Sequence, residues 1–171
     1  MSVRVSPRGA QRNEVVDLVE AERVERNIRA RLAARARAHG VVYLLRSQYR
    51  NKTVTYVGVT GKLDYRLQQH NGERPGGAVF TRACARHAPF EVVCHVEGFP
   101  SRRAANQFEW AWKEMWQSVP THYKPIKRRM TALRRLLRKE RPTPAAEPFA
   151  AWPSPPRIVW HEASFEEESC F

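Results

Sequence analysis

Arg66 and His70 lie four residues apart in the run Leu-Asp-Tyr-Arg-Leu-Gln-Gln-His, a spacing that makes them neighbours on one face of a helix. A permanent cation and an imidazole that titrates near neutrality are the pair needed to hold an anion and move a proton beside it. Two tyrosines, Tyr43 and Tyr56, fall in short apolar runs that read as adjacent strands, where cross-strand neighbours come close enough to share one site. Glu109 stands between Phe108 and Trp110. A carboxylate among aromatics is rarely buried without a partner or a metal, so Glu109 asks for a cation, and Arg66 can supply one as a structural salt bridge. Plainer readings exist for each residue: an amphipathic helix carrying a solvated arginine and histidine, and strand tyrosines that only pack.

These side chains need elements to hold them. Val54, Tyr56 and Gly58 alternate with Thr55, Val57 and Val59 as on a strand. Thr60 then suits the N-cap of a helix over residues 62–71, with Asp64 in its first turn and Gly72 as a left-handed stop. Leu63 and Leu67 anchor that helix. Residues 41–46 read as a mostly buried strand, and 47–51 as a polar hairpin loop. Residues 71–82, with three glycines and a proline, read as a loop able to bring backbone close to a phosphate chain. Phe90, Val92, Cys94 and Val96 alternate with Glu91, Val93, His95 and Glu97 as a third strand, which makes Cys94 a core residue. Ser101 caps a helix running to Trp116. Its buried stripe is Ala104, Ala105, Phe108, Ala111, Trp112, Met115 and Trp116, with Glu109 at the edge and Trp110 opposite.

The chain has 171 residues, 42% of them hydrophobic, enough for one compact domain with tails. Its net charge of +13 and pI near 10.5 point to a polyanionic partner. No run is apolar and long enough to cross a bilayer or to act as a signal peptide, so an intracellular protein, nuclear or cytoplasmic, is expected. Cys84, Cys94 and Cys170 are odd in number and lack metal-ligand spacing, which excludes a disulfide framework or a cysteine-rich zinc module. Residues 13–38 carry a stripe of Leu18, Ala21, Val24, Ile28 and Leu32 and predict an accessory helix. Segment 1–40 holds nine basic and five acidic residues, a net of +4, more consistent with packing than with a cationic arm.

The succession Val-Tyr-Leu, a short loop, Tyr-Val-Gly, then Arg66, His70 and Asn71, and finally Gly-Phe-Pro-Ser and Phe-Glu-Trp-Ala-Trp resembles the GIY-YIG nuclease superfamily. Gln-Gln-His-Asn-Gly and Gly-Gly-Ala strengthen the likeness to one branch, the nuclease domain of the eukaryotic structure-specific endonuclease subunit that cuts branched DNA. The matching covers about residues 42 to 113. It implies an α+β fold, a small three-stranded antiparallel sheet flanked by helices, here with an added N-terminal helix and a basic C-terminal helix. It also implies metal-dependent hydrolysis of a DNA phosphodiester, with Tyr43, Tyr56, Arg66, His70 and Glu109 as catalytic residues. In those roles Glu109 would hold one Mg²⁺ or Mn²⁺, since hard cations prefer oxygen ligands and keep several waters. Arg66 would clamp the phosphate, and one of the tyrosines would serve as base with help from His70 or the metal. A binding module for branched DNA that has lost catalysis is the alternative. Val41 stands where the family has its first glycine, Phe80 stands at a position usually basic in the branch, and the RING module of that branch has no counterpart here.

The remaining expectations concern DNA contact. Lys62, Asn71 and Arg82 are the candidate DNA contacts near Arg66, and Lys127, Arg128, Arg129, Arg134 and Arg135 line a second amphipathic helix built on Ile126, Met130, Leu133 and Leu137. Segment 121–142 holds nine basic residues and one acidic, a net of +8, enough to track a DNA backbone. Residues 1–40 are therefore read as an accessory helix, 41–120 as the nuclease core, 121–160 as a basic helix and Pro/Trp-rich segment packing on it, and 161–171 as a disordered acidic tail. Trp152 and Trp160 are expected to cover Trp110, and the Pro/Trp-rich segment is the candidate surface for a protein partner. Replacing Arg128, Arg129, Arg134 and Arg135 by Gln should flatten the plot of log affinity for DNA against log salt by about one unit per phosphate contact removed. An unchanged slope in the folded variant assigns the helix to packing.

Overall fold

A computed structural model describes residues 22–24, 26–27, 31, 34, 38–49, 52–85 and 89–161. The chain divides into two compact units, Met1–Arg35 and Ala36–Phe171. The described residues of the first unit are helical, Val24 among them; Leu18, Ala21, Ile28 and Leu32 of the predicted stripe, and the acidic end from 162 onward, lie outside the described residues.

The second unit is α+β and is built on four antiparallel strands, one more than predicted. β1 (Val41–Tyr49), β2 (Lys52–Thr60), β3 (Glu91–Glu97) and β4 (Arg157–Trp160) lie in the order β2-β1-β3-β4. β1 and β2 are longer than their apolar runs. Tyr49 pairs with Lys52, so only residues 50–51, outside the described residues, connect them, where a five-residue loop was expected. β4 escaped sequence reading because four residues behind a proline run show little period-2 pattern, and its partner β3 is some sixty residues away. Arg157 Nε donates to Glu97 Oε1 at 3.0 Å, and this buried carboxylate fastens the strand.

Alternate residues of β1 serve two cores. Val42 and Leu44 join Val57, Cys94, Val96, Phe108, Trp112, Met130 and Leu133 under the helices α3 (Arg102–Met115) and α4 (Pro125–Leu137). Tyr43 and Leu45 join Phe90 and Val92 on the opposite face, beneath Leu63 and Leu67 of α1 (Leu63–His70) and Cys84 and Ala85 of α2 (Val79–Ala85). A strand buried on both faces must be apolar at every position, which explains the unbroken run at its start. The predicted alternation along β3 is interrupted: Leu44 pairs with Cys94 but Leu45 with Val92, leaving Val93 as a bulge. One extra residue reverses the faces, so Phe90 and Val92 pack with Tyr43 while Cys94 and Val96 pack with α3 and α4. Cys94 is fully buried, and burial pushes its thiol up to about 12.

Ser101 caps α3 as expected, its Oγ accepting from Ala104 N at 3.1 Å. α1 begins at Leu63, with Lys62 as its N-cap residue; Thr60 Oγ1 instead accepts from Lys62 N at 3.1 Å. Residues 79–82, the end of the expected loop, belong instead to α2. Trp152 and Trp160 do pack on the domain but do not cover Trp110, which remains 56% exposed. Trp152 lies against Phe99 and Phe149 at ring distances of 5.7 and 4.9 Å, because the chain after α4 returns across the Phe108 side of α3. Among the described residues no helix is long and apolar enough to cross a membrane.

Trp152→Ala should cost about 3–5 kcal/mol in denaturant unfolding, the usual loss for a buried large aromatic, and truncation after Arg141, which also removes β4, should lower the melting temperature further. Equal melting of truncated and full chains would make residues 142–171 a tail.

Candidate active site

Tyr43 begins the site. It projects from β1 across Gly58, its partner on β2. A Cβ on Gly58 would strike the Tyr43 hydroxyl and lie 2.9 Å from the Tyr56 ring, so the glycine leaves room for the phenol. Tyr56 pairs with Leu45, two residues along on the same sheet face, and the two rings are 6.4 Å apart. Tyr43 is almost fully buried. Burial pushes its phenol up to about 12; Arg66 pulls the other way, and the nearby Tyr56 and Glu109 add to the rise.

α1 lays His70 against both tyrosines, at ring distances of 5.8 Å from Tyr43 and 4.9 Å from Tyr56. Its Nε2 meets the Tyr43 hydroxyl at 2.7 Å and its Nδ1 meets Thr81 Oγ1 at 2.6 Å. His70 is wholly buried, and burial followed by the Arg66 charge lowers its pKa to about 4. It is therefore neutral at pH 7. The structure thus separates the two tyrosines, whose roles were interchangeable in the sequence: only Tyr43 bonds the imidazole.

One turn earlier on α1, Arg66 Nη1 donates to Gln69 Oε1 at 3.0 Å, whereas its Nε is buried with no hydrogen-bond partner among the described residues. A buried unpaired charged donor is costly and is suited to an anion that arrives later. Gln69 is itself held by Pro75 O at 2.8 Å. Gly76 and Gly77, at φ +105° and +81°, lie so close to Gln69 that a Cβ on either would collide with it. The glycine loop therefore approaches Gln69, and through it steadies Arg66, where the sequence suggested approach to a phosphate chain.

Glu109, on α3, does not bridge Arg66. Its carboxylate pairs with Lys113 one turn on, and the Lys113 ammonium stands 5.6 Å from the centre of the Tyr56 ring. The i,i+4 spacing was available in the sequence and points to this partner. Thr81 had no such signal, since its contact with His70 depends on how the loop returns. The carboxylate is the acidic group nearest the tyrosines among the described residues, where no group of three or more His, Cys, Asp and Glu able to hold a metal occurs. A single carboxylate fits only a hard divalent ion that keeps its waters and takes further oxygens from substrate.

The predicted DNA contacts are scattered. Lys62 and Arg82 are exposed at the start of α1 and on α2. Asn71 is occupied: its side-chain amide donates to Phe90 O at 3.0 Å and accepts from Phe90 N at 2.7 Å. α4 packs on the other sheet face. Arg128 and Arg129 lie over the Trp116 ring at 4.1 and 3.8 Å, and their Nε atoms bond Val119 O and Thr55 Oγ1. Burial, then the Arg128 charge, lowers Arg129 to about 10. Arg135 bonds Ser118 O at 2.9 Å, Lys127 lies over the Tyr123 ring at 5.0 Å, and Arg134 is exposed.

A sheet-borne tyrosine pair facing an arginine and histidine on the following helix, with a glutamate from a later helix, defines a nuclease-type catalytic domain. The chain belongs to the GIY-YIG family: residues 39–124 match the GIY-YIG catalytic domain. Among similar proteins, the structure-specific endonuclease subunit slx1 of Aspergillus terreus is 38% identical over 126 residues, 71% of this chain and 32% of that protein. The subunits of the same name from Aspergillus fumigatus and Cryptococcus neoformans are each 51% identical, over 44% and 42% of this chain and 18% and 14% of theirs. The chain thus aligns with about a third or less of the length of these relatives.

The lowered His70 pKa sets an acid dependence of stability. The unfolded chain takes the histidine proton near pH 6.5 while the folded chain resists it until about pH 4. Stability from this group is complete above about 6.5 and is lost progressively as the pH falls to about 4, by roughly 3 kcal/mol. Urea unfolding of the parent and His70→Gln at pH 7 and pH 4.5 should show a smaller loss in the variant; equal losses would assign the acid sensitivity elsewhere.

Proposed function

We propose that this chain is a metal-dependent DNA endonuclease selective for branched, flapped or junction DNA. The single observation that carries the reading is the Tyr43–His70 hydrogen bond beside the unpartnered Arg66 Nε, a proton path next to an anion site. The names of the similar proteins support the structure selectivity, and the net charge of +13 supports a polyanionic substrate. Such an enzyme works where DNA is kept, in the nucleus or cytoplasm.

The scissile phosphate docks on Arg66, whose Nε acquires the partner it lacks; a guanidinium suits phosphate because its donors are planar and its charge permanent. Attacking water gives its proton to the Tyr43 oxygen as the Tyr43 proton passes to His70 Nε2. A phenol raised to about 12 and an imidazole lowered to about 4 are poor partners in the free protein. Phosphate corrects the imidazole side of this, because neutralising Arg66 removes one of the two causes that depress His70, while the phenol stays protonated between the water and the imidazole. Tyr56 borders the water and completes the wall of the site. Glu109 would hold Mg²⁺ or Mn²⁺ after release from Lys113. An ion bound there supplies positive charge to the phosphate and the leaving oxygen. Lys62 and Arg82, both exposed, would contact flanking phosphates, and Arg134 and Arg135 would add non-specific affinity from the opposite layer.

The Glu109–Lys113 ion pair favours a second reading, a branched-DNA-binding module in which the metal carboxylate is already neutralised. Glu109→Gln separates the two. The variant should fold, bind branched DNA in chelator at least as well as the parent, and cleave it orders of magnitude more slowly with Mg²⁺ or Mn²⁺. Full cleavage by the folded variant would reject the metal assignment, and no cleavage by the parent on branched, flapped or duplex DNA would select the binding module.

A further inference from the structure

We infer that Thr81 is a positioning residue that selects the His70 tautomer, and so decides which way the proton of the Tyr43–His70 bond points. The inference rests on the proposed proton path but is carried by a chain of three hydrogen bonds.

Thr81 is buried, and its Oγ1 lies 2.9 Å from Ala78 O. A carbonyl only accepts, so the threonine hydroxyl spends its one proton there. Towards His70 Nδ1, 2.6 Å away, the same oxygen has only lone pairs left. Nδ1 must therefore carry the imidazole proton. A neutral imidazole has one N–H, so Nε2 presents a lone pair to the Tyr43 hydroxyl at 2.7 Å. The phenol then donates to His70, and its own lone pairs are turned away from the ring, one towards the Arg66 guanidinium, whose hydrogen bond lowers the Tyr43 pKa, and one left to accept from water. The reverse tautomer would point an N–H at Tyr43, take up the phenol's accepting capacity and close the relay.

The local fold makes this chain stiff. Ala78 O also receives Arg82 N at 3.1 Å as α2 begins, so the carbonyl that orients the Thr81 hydroxyl is part of the helix start. Gly76 and Gly77, with φ values reserved for glycine, turn the backbone back onto Gln69 and deliver Ala78 and Thr81 to the end of α1. The loop therefore ties two site residues: it steadies Arg66 through Gln69 and orients His70 through Thr81.

Thr81→Val keeps the shape and removes the acceptor; Thr81→Ser keeps the acceptor. In long-range ¹H–¹⁵N spectra at pH 7, the parent and Thr81→Ser should show His70 protonated on Nδ1, and Thr81→Val should shift it towards Nε2. In single-turnover cleavage of branched DNA, Thr81→Val should lose about 100-fold in rate with little change in DNA affinity, and Thr81→Ser should regain most of it. A Thr81→Val protein that keeps the Nδ1–H tautomer, or keeps parental rate with the tautomer reversed, overturns the inference. If Thr81→Val does not fold, Thr81→Ala replaces it with the same outcomes. A parent that cuts no DNA defeats the proposed function alone, since the tautomer measurement still decides the role of Thr81.

Discussion

The hydrogen bond between Tyr43 and His70 joins the two halves of the site, and most of the surrounding structure serves to make it possible. It requires a phenol lying flat across a neighbouring strand, which only a glycine at position 58 allows. It requires an imidazole brought down onto the sheet face by a helix of just eight residues. Both partners are buried, so each would lose hydrogen bonds to water without the other. Burial also moves their pKa values apart, up to about 12 and down to about 4. The site is thus strongly biased against ionisation of either group, and the Arg66 charge acts on both, lowering the phenol as well as the imidazole.

Charge in this protein has two uses that composition alone does not separate. α4 carries much of the positive charge, yet Arg128 and Arg129 are spent on Trp116 and on bonds to Val119 and Thr55. These side chains bury their stems and stack while retaining charge, so they act as packing residues with a cationic tip. The arginine of the candidate site is different. Arg66 keeps a buried nitrogen without a partner, and its position is held by Gln69 and the glycine loop.

Glu109 shows the limit of reasoning from a stripe. Its place at the edge of α3's buried face follows from the sequence, and so does its demand for a cation. The cation proves to be Lys113, because an i,i+4 lysine on the same helix reaches the carboxylate with little loss of freedom, while Arg66 approaches from another element. Any external cation therefore competes with a neighbour fixed one turn away on the same helix.

The sequence by itself determined the α+β class, the strands β1 to β3 and the helices α1, α3 and α4, and it singled out Tyr43, Tyr56, Arg66, His70 and Glu109 as candidates for one site. Those features depend on local periodicity and on spacings within one element, which the chain carries wherever it folds. The tertiary structure alone decided the fourth strand, the bulge that sends Cys94 and Phe90 to opposite cores, the burial of Trp152 away from Trp110, and the helix that presents Thr81 to His70. Each joins elements distant along the chain or hinges on one residue of register. Periodicity says which side of an element is buried and nothing about what lies against it; that His70 bonds Tyr43 and not Tyr56 is a contact, and contact is a property of the folded chain.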